Sequence, residues 1–344
     1  MSAAGAFLAV GLPGTELDAT TAKILRRVQP GGVILLPRNI ADEPQLRALV
    51  AAIKATVPGA LLYLDAEGGR VDRLRNIVGG APAGETMAAK QPAFARRSGR
   101  WVGASLAAFG FDVDLAPVVD LDFGFVNNAL DRRCLGATPR QVVARARAFI
   151  RGLEGAGVGA CLKHFPGLGR AGEDTHFEGT VIRGTLEDFA ADLAPFRELG
   201  SLAGAVMVNH AKYPDLDPEG RPATVSPAIA TDLLRRELRF RGLAYSDDLD
   251  MQALEPWGDP PERAAAAFAA GCDVLFLCHS LESAPAAASK LARPSLAARR
   301  DEAAARIRSF RRRLERLKRE APLTHLAPIR RRLARLDRSP DSSK

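Results

Sequence analysis

A chain of 344 residues with 47% hydrophobic content buries a large core, which excludes disorder for the bulk of it and fits one big α/β domain or two ordinary ones. Its formal net charge of +8 belongs to the tail: residues 299–344 carry sixteen Lys and Arg against six Asp and Glu, leaving 32 basic against 34 acidic side chains elsewhere. The triple arginines at 311–313 and 330–332 are able to touch phosphates, but such runs are more often the solvated face of a terminal helix. Without interleaved aromatics or a recognisable module, nucleic acid is not expected as a partner.

The opening apolar run, Ala3 to Leu12, is too short to span a bilayer, has no basic segment before it and leads into helix-start chemistry rather than a cleavage site. No later stretch approaches a membrane-spanning length. Cys134, Cys161, Cys272 and Cys278 lack paired metal spacing, and three of them sit in or beside apolar runs, as buried reduced thiols do. A soluble, cytoplasmic protein is expected, with no cofactor and no metal.

Short apolar strands then alternate with amphipathic helices. Strands are predicted at Phe7–Gly11, Gly32–Leu36, Leu61–Asp65, Val113–Val119, Val158–Leu162, Ala205–Val208, Leu243–Ser246 and Val274–Cys278. Helices are predicted at Leu17–Val28, Glu43–Val57, Ala93–Ala108, Pro139–Glu154, Leu186–Leu199, Pro227–Leu238, Pro261–Ala270 and Ala297–Arg319. Thr138-Pro139 and Ser226-Pro227 are good helix starts, and glycines 31, 110, 157, 204, 242 and 271 stand just ahead of strands, as helix caps would. Continuous apolar strands alternating with helices imply a parallel sheet covered on both faces. Eight such units predict an α/β fold, a single-domain (β/α)8 TIM-type barrel over residues 1–298, with a basic helical C-terminal extension over 299–344. An open nucleotide-binding sheet fits less well, because Gly11-Leu-Pro-Gly14 lacks GxGxxG spacing and there is no Walker A sequence.

A barrel places chemistry at the C-terminal ends of its strands. Those ends carry Asp65-Ala-Glu67, Asp120, Lys163-His164, Asn209-His210 and Asp247-Asp248, while strand starts are mostly glycine and small apolar residues. The densest stretch runs from Cys161 to His176, where a strand ends in Lys163-His164 and breaks into a glycine-rich loop bearing Asp174 and His176.

Lys163-His-Phe-Pro-Gly-Leu-Gly169, then Asp174-Thr-His176, Ala205-Val-Met-Val-Asn-His210 and Gly242-Leu-Ala-Tyr-Ser-Asp-Asp-Leu-Asp-Met251 closely resemble the glycoside hydrolase family 3 β-N-acetylglucosaminidases. Gly31 to Asn39, Leu64 to Arg73 and Leu115 to Asp120 agree, so the resemblance covers about residues 5–280. It implies a retaining exo-acting hydrolase of the bacterial cell-wall recycling type, taking terminal N-acetylglucosamine from peptidoglycan-derived muropeptides. Its partner is then a small amino-sugar glycoside. Retaining glycosidases need a carboxylate nucleophile and a separate proton donor that later acts as base. Asp247 matches the family nucleophile. Asp248 is its rival, but successive strand side chains face opposite ways, so only one faces the sugar. The resemblance assigns acid/base work to His176 with Asp174 beside it; imidazole titrates near neutral pH and a carboxylate fixes its tautomer. Asp65, Arg73, Arg133, Lys163 and His164 match the positions that contact sugar hydroxyls. His210 stays outside the catalytic set, as either a satisfied core group or a supporting one.

The chain departs from the family pattern at Leu168, where a second histidine is usual, and at Asp131-Arg-Arg-Cys134, where Gly-x-Arg-Ser is usual. The segment after Met251 is shortened and carries Trp257-Gly-Asp-Pro-Pro. These changes bear on the aglycone side. Phosphorolysis stays open, because a histidine donor repels phosphate less than a carboxylate, as does a catalytically weak sugar-binding protein on the same barrel. Metal-assisted hydrolysis is disfavoured by the lack of His-x-His after the first strand.

Overall fold

A computed structural model of the chain describes residues 3–125, 128–172 and 180–321. Eight strands form one parallel sheet: β1 (Leu8–Gly11), β2 (Gly32–Ile34), β3 (Leu61–Leu64), β6 (Val113–Asp114), β7 (Leu162–Phe165), β8 (Ala205–Val208), β9 (Leu243–Asp248) and β10 (Val274–Leu277). A small antiparallel hairpin, β4 (Ala66–Gly68) and β5 (Val71–Asp72), follows β3. The sheet runs in the order β6-β3-β2-β1-β10-β9-β8-β7. It closes on itself because Asp114 N donates to Gly159 O and Cys161 N to Ala116 O, each 2.9 Å, and Val119 N to Lys163 O at 2.8 Å. The result is a (β/α)8 TIM-type barrel.

Helices α1 (Ala19–Val28), α2 (Glu43–Thr56), α5 (Pro92–Phe109), α6 (Pro139–Glu154), α7 (Ala190–Ala203) and α8 (Pro260–Ala270) cover the strands, with short α3 (Arg75–Val78) and α4 (Gly84–Ala88) in the third loop. The helix Ala228–Glu237 is of the wide π type. Two helices complete the chain, α9 (Ala284–Leu291) and α10 (Ala297–Glu320). Asp18, Asp42, Thr138 and Asp259 cap their helices by accepting a backbone N–H, as their positions ahead of apolar runs lead one to expect. Of the glycines expected as caps, Gly110 and Gly204 are left-handed at φ 86° and 78°. Gly31 is there for space: a Cβ would lie 2.0 Å from Ala6 O.

Alternation along each strand divides the core in two. Leu8, Val10, Leu62, Leu64, Val206, Leu275 and Leu277 point outward to the helices. Ala9, Tyr63, Cys161, Met207, Tyr245 and Phe276 point into the barrel, where Tyr63, Tyr245 and Phe276 meet edge to face with centroids 5.1–5.7 Å apart. Phe310 and Leu314 of α10 join this inner core from the barrel's N-terminal end and plug it. All four cysteines are unpaired and buried. Among the described residues no helix is long and apolar enough to cross a membrane.

Candidate active site

Two residues beyond the aromatic layer, on the same face of each strand, come the polar groups: Asp65 after Tyr63, Lys163 after Cys161 and Asp247 after Tyr245. The strand period thus sets an ionic layer on an apolar floor at the C-terminal mouth.

Lys163 is the hub. Its Nζ donates to Asp65 Oδ1 at 2.7 Å and lies 2.6 Å from Glu67 Oε1, with the side chain 3% exposed. Arg133 grips Glu67 with two bonds, Nε to Oε2 at 2.8 Å and Nη2 to Oε1 at 2.7 Å. Burial pushes the Glu67 carboxyl up, but Lys163 and Arg133 override it and hold the group far below the usual carboxylate range. Burial likewise works against the Lys163 charge, and Asp65 and Glu67 raise it above the ordinary lysine value. Arg73 Nη2 stands 3.9 Å from Asp65 Oδ2, and its buried Nε donates to no group among the described residues.

His164 is held by Asp120, whose Oδ2 accepts from the ring Nδ1 at 2.7 Å and from the His164 backbone N–H at 3.1 Å. Since the carboxylate accepts, Nδ1 carries a proton, and Nε2 faces the mouth 3.4 Å from Arg133 Nη2. Asp120 Oδ1 also takes the Leu168 N–H at 2.7 Å, anchoring the start of the glycine-rich loop. The Lys163–His164 peptide bond is cis.

Asp247 and Asp248 have separate tasks. Asp248 Oδ1 accepts from Cys278 N at 3.2 Å and Asp250 N at 3.1 Å, and Oδ2 faces His279 Nε2 at 3.4 Å, so this side chain ties down loops. Burial raises its carboxyl, with Asp250 and Asp247 adding to the rise. Among the described residues Asp247 Oδ1 accepts only its neighbour's N–H, from Asp248 at 2.8 Å. Burial raises Asp247 too, but His210, His164, the Asp248 N–H and Lys163 outweigh it and leave the carboxyl below its ordinary value. His210 Nε2 donates to Asp248 O at 2.8 Å while Nδ1 lies 2.8 Å from Thr224 Oγ1, which fixes the ring beside Asp247.

Six of the expected site residues, Asp65, Arg73, Arg133, Lys163, His164 and Asp247, therefore line one mouth. Asp174 and His176 lie outside the described residues. Glu67, Asp120 and His210 belong to the same network and were not in the expected set. Glu67 had a signal, since i,i+2 spacing puts it on the face of Asp65; Asp120 and His210 had only their places at strand ends. Among the described residues no group of three or more His, Cys, Asp or Glu is placed to hold a metal.

Residues 7–310 match the family described as "Glycosyl hydrolase family 3 N terminal domain". The chain is 39% identical over 282 residues to a beta-hexosaminidase of Stenotrophomonas maltophilia, covering 79% of this chain and 83% of that one. It is also 39% identical over 289 residues to a beta-hexosaminidase of Pseudomonas aeruginosa, covering 83% and 86%. Among solved structures it is similar to a glycoside hydrolase family 3 beta-N-acetylglucosaminidase from Paenibacillus, with TM-score 0.87, 29% identity and coverage of 97% and 68%. It is similar as well to NagZ from Neisseria gonorrhoeae in complex with N-trifluoroacetyl-D-glucosamine, with TM-score 0.75, 29% identity and coverage of 92% and 98%.

Proposed function

The chain belongs to glycosyl hydrolase family 3, and from that premise we propose that it is a retaining exo-β-N-acetylglucosaminidase acting by double displacement through Asp247. The observation that carries the proposal is the pair of unlike carboxylates: Asp247 free to face a sugar and held ionised, Asp248 engaged with backbone N–H groups. The Asp247 carboxylate attacks the anomeric carbon as the glycosidic bond breaks, and the departing oxygen takes a proton from His176, whose ring Asp174 orients. His176 then removes a proton from the water that displaces Asp247, restoring both groups.

Around the sugar, Asp65 and Lys163 bond hydroxyls, Arg73 adds the end of its guanidinium beside Asp65, and His164 offers the Nε2 edge that Asp120 directs outward. Arg133 acts partly by holding Glu67, which keeps Lys163 charged and in place. The natural substrate is read as a peptidoglycan-derived muropeptide and the compartment as cytoplasm, as the resemblance of the Lys163–His176 and Gly242–Met251 motifs implies.

The deciding assay sets an aryl β-N-acetylglucosaminide against the aryl β-glucoside, with products identified with and without phosphate. Free β-configured N-acetylglucosamine in both buffers is expected. A glycosyl phosphate as product would move the protein to the phosphorylases, and no turnover at all would leave a sugar-binding barrel. His176→Ala should impair glycosides with poor leaving groups far more than those whose phenol leaves unaided; equal proportional loss on both would exclude it as the donor.

A further inference from the structure

A cleft of about 380 Å³ opens beside the mouth, in the size range of small-ligand sites. Its walls come from the loop Leu121–Phe125 after β6, from residues 128–134 and from Gly169 of the glycine-rich loop. It shares both boundaries with the sugar-holding network. Leu121 follows Asp120, the partner of His164, and Cys134 follows Arg133.

Phe123 and Phe125 line this cleft with 42% and 43% of their surfaces exposed. The other large exposed hydrophobics among the described residues, Val181, Leu186 and Met251, also lie in loops that follow barrel strands. Among the described residues the large exposed hydrophobics thus all lie on the rim that carries the site, where they mark contact with something other than water. Phe123 is also held in place. The Arg170 guanidinium lies over its ring at 4.9 Å and is anchored in turn by Asp192 Oδ2 at 3.0 Å. Gly169 lets the two loops touch, since a Cβ there would stand 2.2 Å from Leu121 O and 3.0 Å from the Phe123 ring.

The charges in the cleft point the same way. Arg132 is taken by Glu85 at 2.7 Å, so among the described residues neither Asp131 nor Asp122, whose Oδ1 accepts the Gly124 N–H at 2.8 Å and whose Oδ2 stays open, forms an ion pair in the cleft. Phenyl faces with surplus carboxylates suit a ring that has an apolar C–H face and hydroxyl donors at its edge.

We propose that this cleft is the leaving-group subsite, in which a pyranose joined to the departing oxygen lies against Phe123 and Phe125 and donates hydroxyls to Asp122 and Asp131. The proposal rests on the glycosidase reading and adds where the second sugar is held. The Asp131-Arg-Arg-Cys134 segment, where the chain departs from its family's pattern, then shapes the choice of leaving group rather than the hold on N-acetylglucosamine.

The test is the ratio of kcat/KM for N,N′-diacetylchitobiose, whose leaving group is a sugar ring, to kcat/KM for N-acetyl-β-glucosaminyl fluoride, whose leaving group is one atom. Phe123→Ala with Phe125→Ala is expected to lower that ratio about tenfold, two ring contacts' worth, and the two Tyr replacements to restore it. An unchanged ratio, or parallel loss on both substrates, overturns the subsite. Calorimetric titration of chitobiose into the Asp247→Asn protein reads the same contact without turnover. Affinity should weaken about tenfold when the rings are removed, and equal affinity overturns the proposal. Failure of the glycosidase reading itself would show separately, as no fluoride hydrolysis by the unaltered protein.

Discussion

Asp247 and Asp248 are adjacent in sequence and opposite in surroundings, which makes their replacements informative. Asp247→Asn is expected to lower kcat by about three orders of magnitude or more with little change in thermal stability, because it removes the covalent route and no packing. Asp248→Ala should keep much more activity and lose stability instead, since it removes the oxygen that accepts the N–H groups of Cys278 and Asp250. Rates and melting temperatures of the two proteins decide the matter, and reversed behaviour would exchange their roles. Glu67 is the sharper test of the ionic layer. Glu67→Gln leaves Lys163 and Arg133 under-compensated in a buried site and is expected to cost about 3 kcal/mol, whereas Arg132→Ala, which breaks a mostly exposed pair, should leave the melting temperature nearly unchanged. The folded Glu67 carboxyl titrates below its ordinary 4.5, so its stabilisation is complete above that pH and is lost as pH falls through the lower folded value. Acid unfolding of the Gln protein should therefore depend less on pH in that range. Asp65, Lys163 and His164 were legible as polar groups ending apolar strands. The grip of Arg133 on Glu67 was not, because 66 positions separate them and only barrel closure brings them together.

Elements with a strong repeating pattern were the readable ones. Six of the eight barrel strands lie within the predicted segments, β9 runs two residues past the predicted Ser246, and α6 has the predicted ends, Pro139 and Glu154. The fifth strand was predicted at Val158–Leu162 and runs instead over Leu162–Phe165. Lys163-His164 looks like a polar strand end, yet Lys163 is buried with its charge paired inside the barrel. Helix α7 begins at Ala190, four residues after the predicted Leu186, because Asp188 accepts from Thr185 N and Oγ1 and makes a separate turn first. Helix α9 went unpredicted, since its buried stripe of Ala284, Ala287, Ala288 and Leu291 is mostly alanine and contrasts little with its neighbours, and so did the β4–β5 hairpin, which is too short for a period. At this scale Gly84, in α4, supports the loop that carries Arg133. A Cβ at Gly84 would lie 2.0 Å from Arg133 O, so Gly84→Ala is expected to displace that segment, raise KM and cost about 1–3 kcal/mol. Gly14→Ala, with open space around it, is the neutral control. Equal melting temperatures and KM values for the two would refute the claim.

The positive charge of the whole molecule gains a structural reading in α10. Arg299 donates to Phe268 O, Gly271 O and Cys272 O at the end of α8, Arg313 to Leu202 O near the end of α7, and Arg311 to Gly59 O and Gly31 O ahead of two strands. Cations at helix C-termini are favourable, and here one helix serves several. Arg299 and Arg306 also share Asp273, which is fully buried, with Arg235. A run that reads as a solvated face in sequence thus puts Arg311 and Arg313 onto the barrel, because the carbonyls they meet belong to segments far away in the chain. We propose that the barrel of residues 1–298 and the extension 299–344 form one folding unit as far as residue 321. Truncation after residue 321 should preserve melting temperature and aryl glycoside hydrolysis, and truncation after residue 296 should abolish both. Phe310→Ala should cost about 3–5 kcal/mol as a cavity under Tyr245. The plug also has a meaning in time. A ribosome makes all eight strands before it makes Phe310, which trails Leu277 by 33 residues, about 2–7 s at roughly 5–20 residues per second. For that interval the nascent barrel has walls and no floor, and its inner aromatic layer stays open to water or to a chaperone. Slow codons between residues 278 and 310 would lengthen that exposure, and lower soluble yield, without changing a single amino acid.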